Sequence, residues 1–181
     1  MPLPVAAGMV FNRGMTAAPQ RFVLFRAAEG EWAMSASGVA EVLPTAPMQR
    51  PAGSPAVLAG FLNLGGRPLP VVRLDALFGP EAGRADDLYH HVLRLTSSEA
   101  GGELGLLVER VTDVDAKAEG VAPLEPDQSV NGALVGNLVI GERLVPLLDR
   151  GRLLLVEEQR RIDDLAAAAR ARLDQLDQAG A

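Results

Sequence analysis

From Arg21 to Leu154 the chain is a succession of short apolar runs, each ended by glycine, proline or a polar cluster. That punctuation leaves room for strands. It does not leave the alternation of strands with helices of roughly 10–15 residues that marks βαβ units. The runs follow in order. RFVLF (Arg21 to Phe25) leads through Glu29-Gly30-Glu31 into EWAMSASGVAEVL (Glu31 to Leu43), a hairpin pattern. Near its end, Val39, Val42 and Leu43 fit a helical or bent turn equally well. Four prolines between Pro44 and Pro55 exclude a long helix there. Next, Gly60 to Leu64 and Pro68 to Leu74 read as strands joined at Asn63-Leu64-Gly65-Gly66, where glycine supplies the positive φ that a tight turn needs. Pro80 to Asp87 is a polar loop. His90 to Leu95 and Glu103 to Val114 form another hairpin across Ser97 to Gly102. After a polar connection from Ala116 to Ser129, Gly132 to Asp149 makes a last hairpin turned at Gly141-Glu142. Many short strands with regular turns predict an all-β barrel architecture.

Two of these hairpins share a layout. GFLNLGGRPLPVVRL and GNLVIGERLVPLLDR both read strand, glycine turn, strand, with Pro70 and Pro146 in the second strand. The likeness is either a faint internal repeat or a chance match between glycine-turned hairpins.

The two ends differ from this body. Residues 1–20 read as a loose leader bearing proline and alanine. Residues 155–181 are rich in Ala, Leu, Arg, Asp and Glu, and Glu157 to Gln178 holds no glycine or proline, so a helix is expected there. Leu155, Gln159, Ile162, Ala166, Ala169, Leu173 and Leu176 alternate at spacings of four and three, a narrow apolar stripe. Such a stripe either packs on its own domain or meets a partner or a second copy of the chain.

Composition excludes several functions. The net charge of −6 argues against nucleic-acid binding, whose footprint is basic. No cysteine is present, which removes disulfides, thiolate metal sites and cysteine nucleophiles. No apolar run approaches the ~20 residues that span a bilayer. The two histidines, His90 and His91, are adjacent, so in a strand they point to opposite faces and do not serve one metal or one triad. The serines lack a nucleophile-elbow context. Asp86-Asp87 and Asp163-Asp164 read as solvated charge, and Trp32 as core packing. Neither a catalytic site nor a cofactor or metal is expected, and a binding module fits what remains.

The residues resemble the CheW-like chemotaxis adaptor family. GFLNLGGRPLPVVRL is similar to a family segment in which G-x-x-N-L-R-G leads through a turn into P-V-x-D-L. Three further segments keep the family's order: RFVLF with EWAMSASGVAEVL, ELGLLVERVTDV, and GNLVIGERLVPLLDRGRLL. The resemblance runs from about Arg21 to Leu154. It implies two intertwined, five-stranded SH3-like β-barrels over residues 21–154 that share a core, followed by the C-terminal helix. It implies a cytoplasmic, non-catalytic adaptor recruited to membrane receptor arrays, with methyl-accepting receptor tips and a CheA-type histidine kinase as partners. The positions matching the receptor groove are Val39, Gly60, Asn63, Gly65, Gly66, Val111 and Gly136. Glycines suit a groove because a helix can approach bare backbone closely. The positions matching the kinase face are Ala36, Glu41 and Val42. Two residues depart from the pattern: Gly65 stands where the family has arginine, and Arg73 where it has aspartate. These departures point to altered receptor contact. They leave open a regulatory or decoy module that binds the kinase, or another protein, through one face or the tail.

Overall fold

A computed structural model describes residues 20–78, 90–97, 101–124 and 132–179. The expected leader (but for Gln20), the 80–87 loop and the centres of the 97–102 and 116–129 connections lie outside them.

Among the described residues, eleven strands and two α-helices follow one another. They are β1 (Arg21–Ala27), β2 (Gly30–Ser35), β3 (Val39–Pro44), β4 (Leu58–Leu64), β5 (Arg67–Arg73), α1 (Leu74–Phe78), β6 (His91–Leu95), β7 (Leu104–Val108), β8 (Arg110–Lys117), β9 (Gly120–Ala122), β10 (Leu134–Ile140), β11 (Arg143–Leu148) and α2 (Val156–Ala179). They form two sheets. One has the order β8-β1-β2-β11-β10-β9 and the other β3-β6-β7-β5-β4. In each sheet a single stretch of chain serves both outer edges. The β8–β9 stretch pairs with β1 at its start and β10 at its end. Likewise β3 pairs with β6, and the chain beyond it reaches β4 through the Gln49–Phe61 bridge. Each sheet thereby closes on itself, which removes the exposed edges of an open sheet. The result is the pair of SH3-like barrels expected from the sequence, the second inserted between β2 and β8 of the first.

Burial explains why these strands read as continuous apolar runs rather than clean alternations: both faces are covered. On β1, Phe22 and Leu24 enter the interior of the first barrel with Ala33, Ala116, Leu138 and Val145. The intervening Val23, Phe25 and Ala27 enter a larger core shared by both barrels. On β5, Leu69 and Val71 line the second barrel with Leu62 and Val92. Val72 and the following Leu74 belong to the shared core.

Several local features differ from the sequence reading. The first hairpin turns at Ala28-Glu29, both at positive φ (48° and 60°), because Ala27 pairs with Gly30. The bend expected within Val39 to Leu43 falls earlier, as a 3-10 turn at Ala36–Gly38, and Val39–Pro44 is strand. The chain after Arg73 forms the one-turn α1, and the polar 116–129 connection holds β9.

Helix α2 occupies the expected residues and starts with a side-chain cap. Glu158 Oε2 accepts the backbone N–H of Leu155 at 3.0 Å, half of a capping box. Its first half docks on the domain. Ile162 is fully buried in the shared core, with Leu165 and Ala166 packed against it. Arg161 Nη2 donates to the Gly53 carbonyl at 2.9 Å. The two ends of the expected stripe differ: Leu155 and Leu176 are 58% and 67% exposed.

Candidate functional site

The positions singled out in the sequence fall into three places. Asn63, Gly65 and Gly66 sit together at the exposed tip of the β4–β5 hairpin. Gly65 and Gly66 take φ of 58° and 86°, the left-handed pair of a type I′ turn. Asn63 Oδ1 accepts the Gly66 N–H at 2.8 Å and so fixes the tip. A Cβ at either glycine meets nothing within 4 Å, so what excludes other residues here is backbone conformation and not space.

Gly60 and Gly136 are buried, and each lies where the crossing chain closes its barrel. A Cβ on Gly60 would stand 2.9 Å from the Gln49 carbonyl oxygen and 3.0 Å from Met48 Cβ. One on Gly136 would stand 2.5 Å from Val121 Cγ1 and 3.1 Å from the Ala122 carbonyl oxygen. These two glycines are bare because the molecule's own backbone passes over them. They lie in different barrels and are not neighbours of the Asn63–Gly66 tip in sequence or sheet.

Val39, Ala36, Glu41 and Val42 share one stretch along the outer strand of the second barrel. Ala36, Val39 and Val42 are half-buried against the shared core, as is Val111 on β8. The Val111 N–H donates to His91 Nδ1 at 3.4 Å, which ties the two barrels where β8 leaves β7. Glu41 is exposed and accepts from Arg94 Nη1 at 3.4 Å, while Arg94 Nη2 donates to Glu103 at 2.8 Å. The hydrogen bond and charge of Glu103, aided by Glu41, raise the pKa of Arg94 above its ordinary value. This clasp spans β3, β6 and the approach to β7. Nothing in the linear sequence marks it, because Glu41 lies 53 residues from Arg94 in the chain.

The two departures from the family pattern resolve differently. Arg73 does not present a free reversed charge. Its Nε donates to Asp75 Oδ1 at 3.0 Å, and its Nη2 donates to Asp75 Oδ2, a bidentate pair at the start of α1. That hydrogen bond raises the Arg73 pKa, against a smaller opposing effect of burial. Asp75 is the residue the sequence reading missed. Gly65 remains a plain turn glycine.

No group of three or more His, Asp or Glu able to hold a metal occurs among the described residues. No described helix is long and apolar enough to cross a membrane. Trp32 packs against the shared core, and its Nε1–H donates to the Ala27 carbonyl at 2.7 Å.

Comparison with known proteins matches residues 21–163 to the CheW-like domain family. The chain belongs to the CheW-like domain family. The chemotaxis protein CheW of Klebsiella aerogenes is 27% identical over 151 residues, covering 81% of this chain and 89% of that protein. A probable chemotaxis protein CheW of Rhizobium etli is 26% identical over 135 residues, covering 72% and 84%. The scaffolding protein TtCheW of Thermoanaerobacter tengcongensis has the same fold, with a TM-score of 0.67 at 19% identity over 84% of this chain and 96% of its own. CheW-family proteins are non-catalytic scaffolds, which agrees with the reading of this chain as an adaptor and not an enzyme. The family match ends at Asp163, within the second turn of α2. The start of that helix thus falls inside the family match.

Proposed function

We propose that this CheW-like protein is a chemosensory adaptor that couples methyl-accepting receptors to a CheA-type histidine kinase. It works in the cytoplasm at membrane receptor arrays. The observation that carries the reading is the family match across both barrels, residues 21–163. The kinase docks on the outer strand of the second barrel at Ala36, Glu41 and Val42, where the Arg94 clasp holds the Glu41 carboxylate in place. Glu41 is the one charged residue in the otherwise small and apolar stretch from Val39 to Pro44. The receptor tip meets the Asn63–Gly66 hairpin tip and the Val39 and Val111 positions. Gly60 and Gly136 serve that site indirectly, by letting each barrel close. The pairing of Arg73 with Asp75 supports retained receptor contact, because the charge reversal at Arg73 is neutralised within the hairpin's own continuation.

Equilibrium binding of the full-length protein to a CheA-type regulatory domain, and co-sedimentation with receptor-bearing membranes, tests the proposal. Saturable binding to both is expected. Binding to the kinase alone would replace the coupling role with the decoy reading, and binding to neither would end it.

A further inference from the structure

Arg94 lies on β6, between β3 and β7, and its two cross-strand partners differ. On one side it pairs with Glu41, on the other with Gly105. Directly opposed residues present their side chains to the same face. The Arg94 guanidinium therefore meets a carboxylate over β3 and bare backbone over β7. A side chain at position 105 is excluded, because a Cβ there would stand 2.9 Å from Val71 Cγ2 and from Val92 Cγ1. That leaves the lane open to Glu103, two residues earlier in an extended chain and so a diagonal neighbour of Arg94.

One guanidinium thus serves two carboxylates, and one positive against two negative groups leaves the three with a net charge of −1. The sharing is unequal. Arg94 Nη2 reaches Glu103 at 2.8 Å, whereas Nη1 reaches Glu41 at 3.4 Å. Glu103 also does more than Glu41 to raise the Arg94 pKa. Glu41, whose side chain is 50% exposed, is the less satisfied of the two carboxylates, so the surplus negative charge lies with it. It is also the charge carried by the outer strand on which the kinase is proposed to dock.

We infer that Glu103 is a positioning residue for that interface: by holding Arg94 to itself, it leaves the Glu41 carboxylate negative, to be met by a basic group of the partner domain. Without Glu103 the guanidinium would turn its fork onto Glu41 and neutralise it. A guanidinium or ammonium on the partner would then compete with Arg94 for one carboxylate and be repelled by its charge. The inference rests on the kinase docking at Glu41. It adds the sign of the charge opposite Glu41, and a residue that sets the strength of Glu41 without belonging to the docking stretch.

Titration of the full-length protein with a CheA-type regulatory domain, at several salt concentrations and as a double-mutant cycle, is the test. Glu41→Gln is expected to weaken binding about fivefold, the scale of an exposed charge pair, and to flatten its salt dependence. Glu103→Gln is expected to weaken it about two- to fivefold with the same flattening. In the Glu41→Gln background, Glu103→Gln is expected to do nothing further, because it acts through Glu41; a long-range effect of the Glu103 charge itself would persist there. Binding that Glu103→Gln or Glu41→Gln leaves unchanged would overturn the inference and leave the kinase as a partner. So would an equal loss from Glu103→Gln with and without the Glu41 carboxylate. A wild-type protein that does not bind the regulatory domain would overturn the kinase reading, and the inference with it.

Discussion

Gly60 and Gly136 occupy the same place in the two barrels. Each lies five residues before the first glycine of its hairpin turn, Gly65 and Gly141. Each follows a register shift in its strand, after Leu58 and Leu134, and pairs with the residue after the hairpin's proline, Val71 and Leu147. Over each, the chain that closes the barrel passes within contact distance of where a Cβ would stand. The strands on either side correspond as well. β5 runs parallel to β7 as β11 runs parallel to β2, and Phe61 pairs with Pro70 as Asn137 pairs with Pro146. The two glycine-turned hairpins are thus a true structural repeat.

Alanine at either glycine forces the closing strand outward. At Gly60 the obstacle is the backbone of Gln49, which is held by reciprocal hydrogen bonds with Phe61 at 3.1 and 2.7 Å. At Gly136 the nearest atom is a methyl of the exposed Val121 on the short β9. Gly60→Ala is therefore expected to cost about 1–3 kcal/mol, the usual range for overpacking, and Gly136→Ala less. Chemical denaturation of the two variants checks the order. Any loss of partner binding by Gly60→Ala then has to be weighed against its loss of folded protein.

The Ala28-Glu29 turn offers the opposite change. Both residues hold positive φ, a conformation that costs an L-residue roughly 1–2 kcal/mol and asparagine or glycine much less. Ala28→Asn with Glu29→Gly matches the preferred pair for this turn. A gain of about 1 kcal/mol is expected, which for a protein of this size raises the melting midpoint by about 2–4 °C. Differential scanning calorimetry reads it directly, and an unchanged or lower midpoint contradicts the turn assignment.

The barrels were legible in the sequence because glycine and proline punctuation is a local signal, and so was α2, whose composition permits little else. What stayed hidden is long-range. The parallel pairings β2–β11 and β5–β7 leave no periodic trace, and the three members of the Glu41–Arg94–Glu103 clasp are spread along the chain. Gly60 and Gly136 were noticed as glycines, but the strand passing over them came from elsewhere in the sequence. The seven receptor-matched positions likewise separate into a hairpin tip, two closure glycines and two core-facing valines, a division that only the fold reveals.

Helix α2 divides at Ala166, and the two halves should respond differently to the same substitution. Ile162 is fully buried in the core that joins both barrels. Ile162→Ala is expected to cost about 2–5 kcal/mol, as large-to-small changes in a packed core do. Leu176→Ala, at a side chain 67% exposed, is expected to change stability by less than about 0.5 kcal/mol, as surface changes do. For the same reason a chain ending at Leu154 loses the Ile162 anchor and should unfold at markedly lower denaturant, whereas one ending at Ala169 should not. Equal midpoints for these two truncations would mean that the helix does not dock.

Restoring the family's arginine at the hairpin tip separates turn geometry from recognition. Gly65 has φ of 58°, and a Cβ there meets nothing within 4 Å. Gly65→Arg therefore brings backbone strain of about 1–2 kcal/mol without a steric clash. The guanidinium would project from an exposed tip with five donors available to a partner. On the adaptor reading, Gly65→Arg lowers the unfolding midpoint yet tightens binding to receptor-bearing membranes, while binding to the kinase regulatory domain stays as it was. Co-sedimentation and kinase titration on the same preparation measure both. Equal loss in the two assays would mean that the tip is only a turn, and that receptor recognition lies with Val39, Val111 and their neighbours.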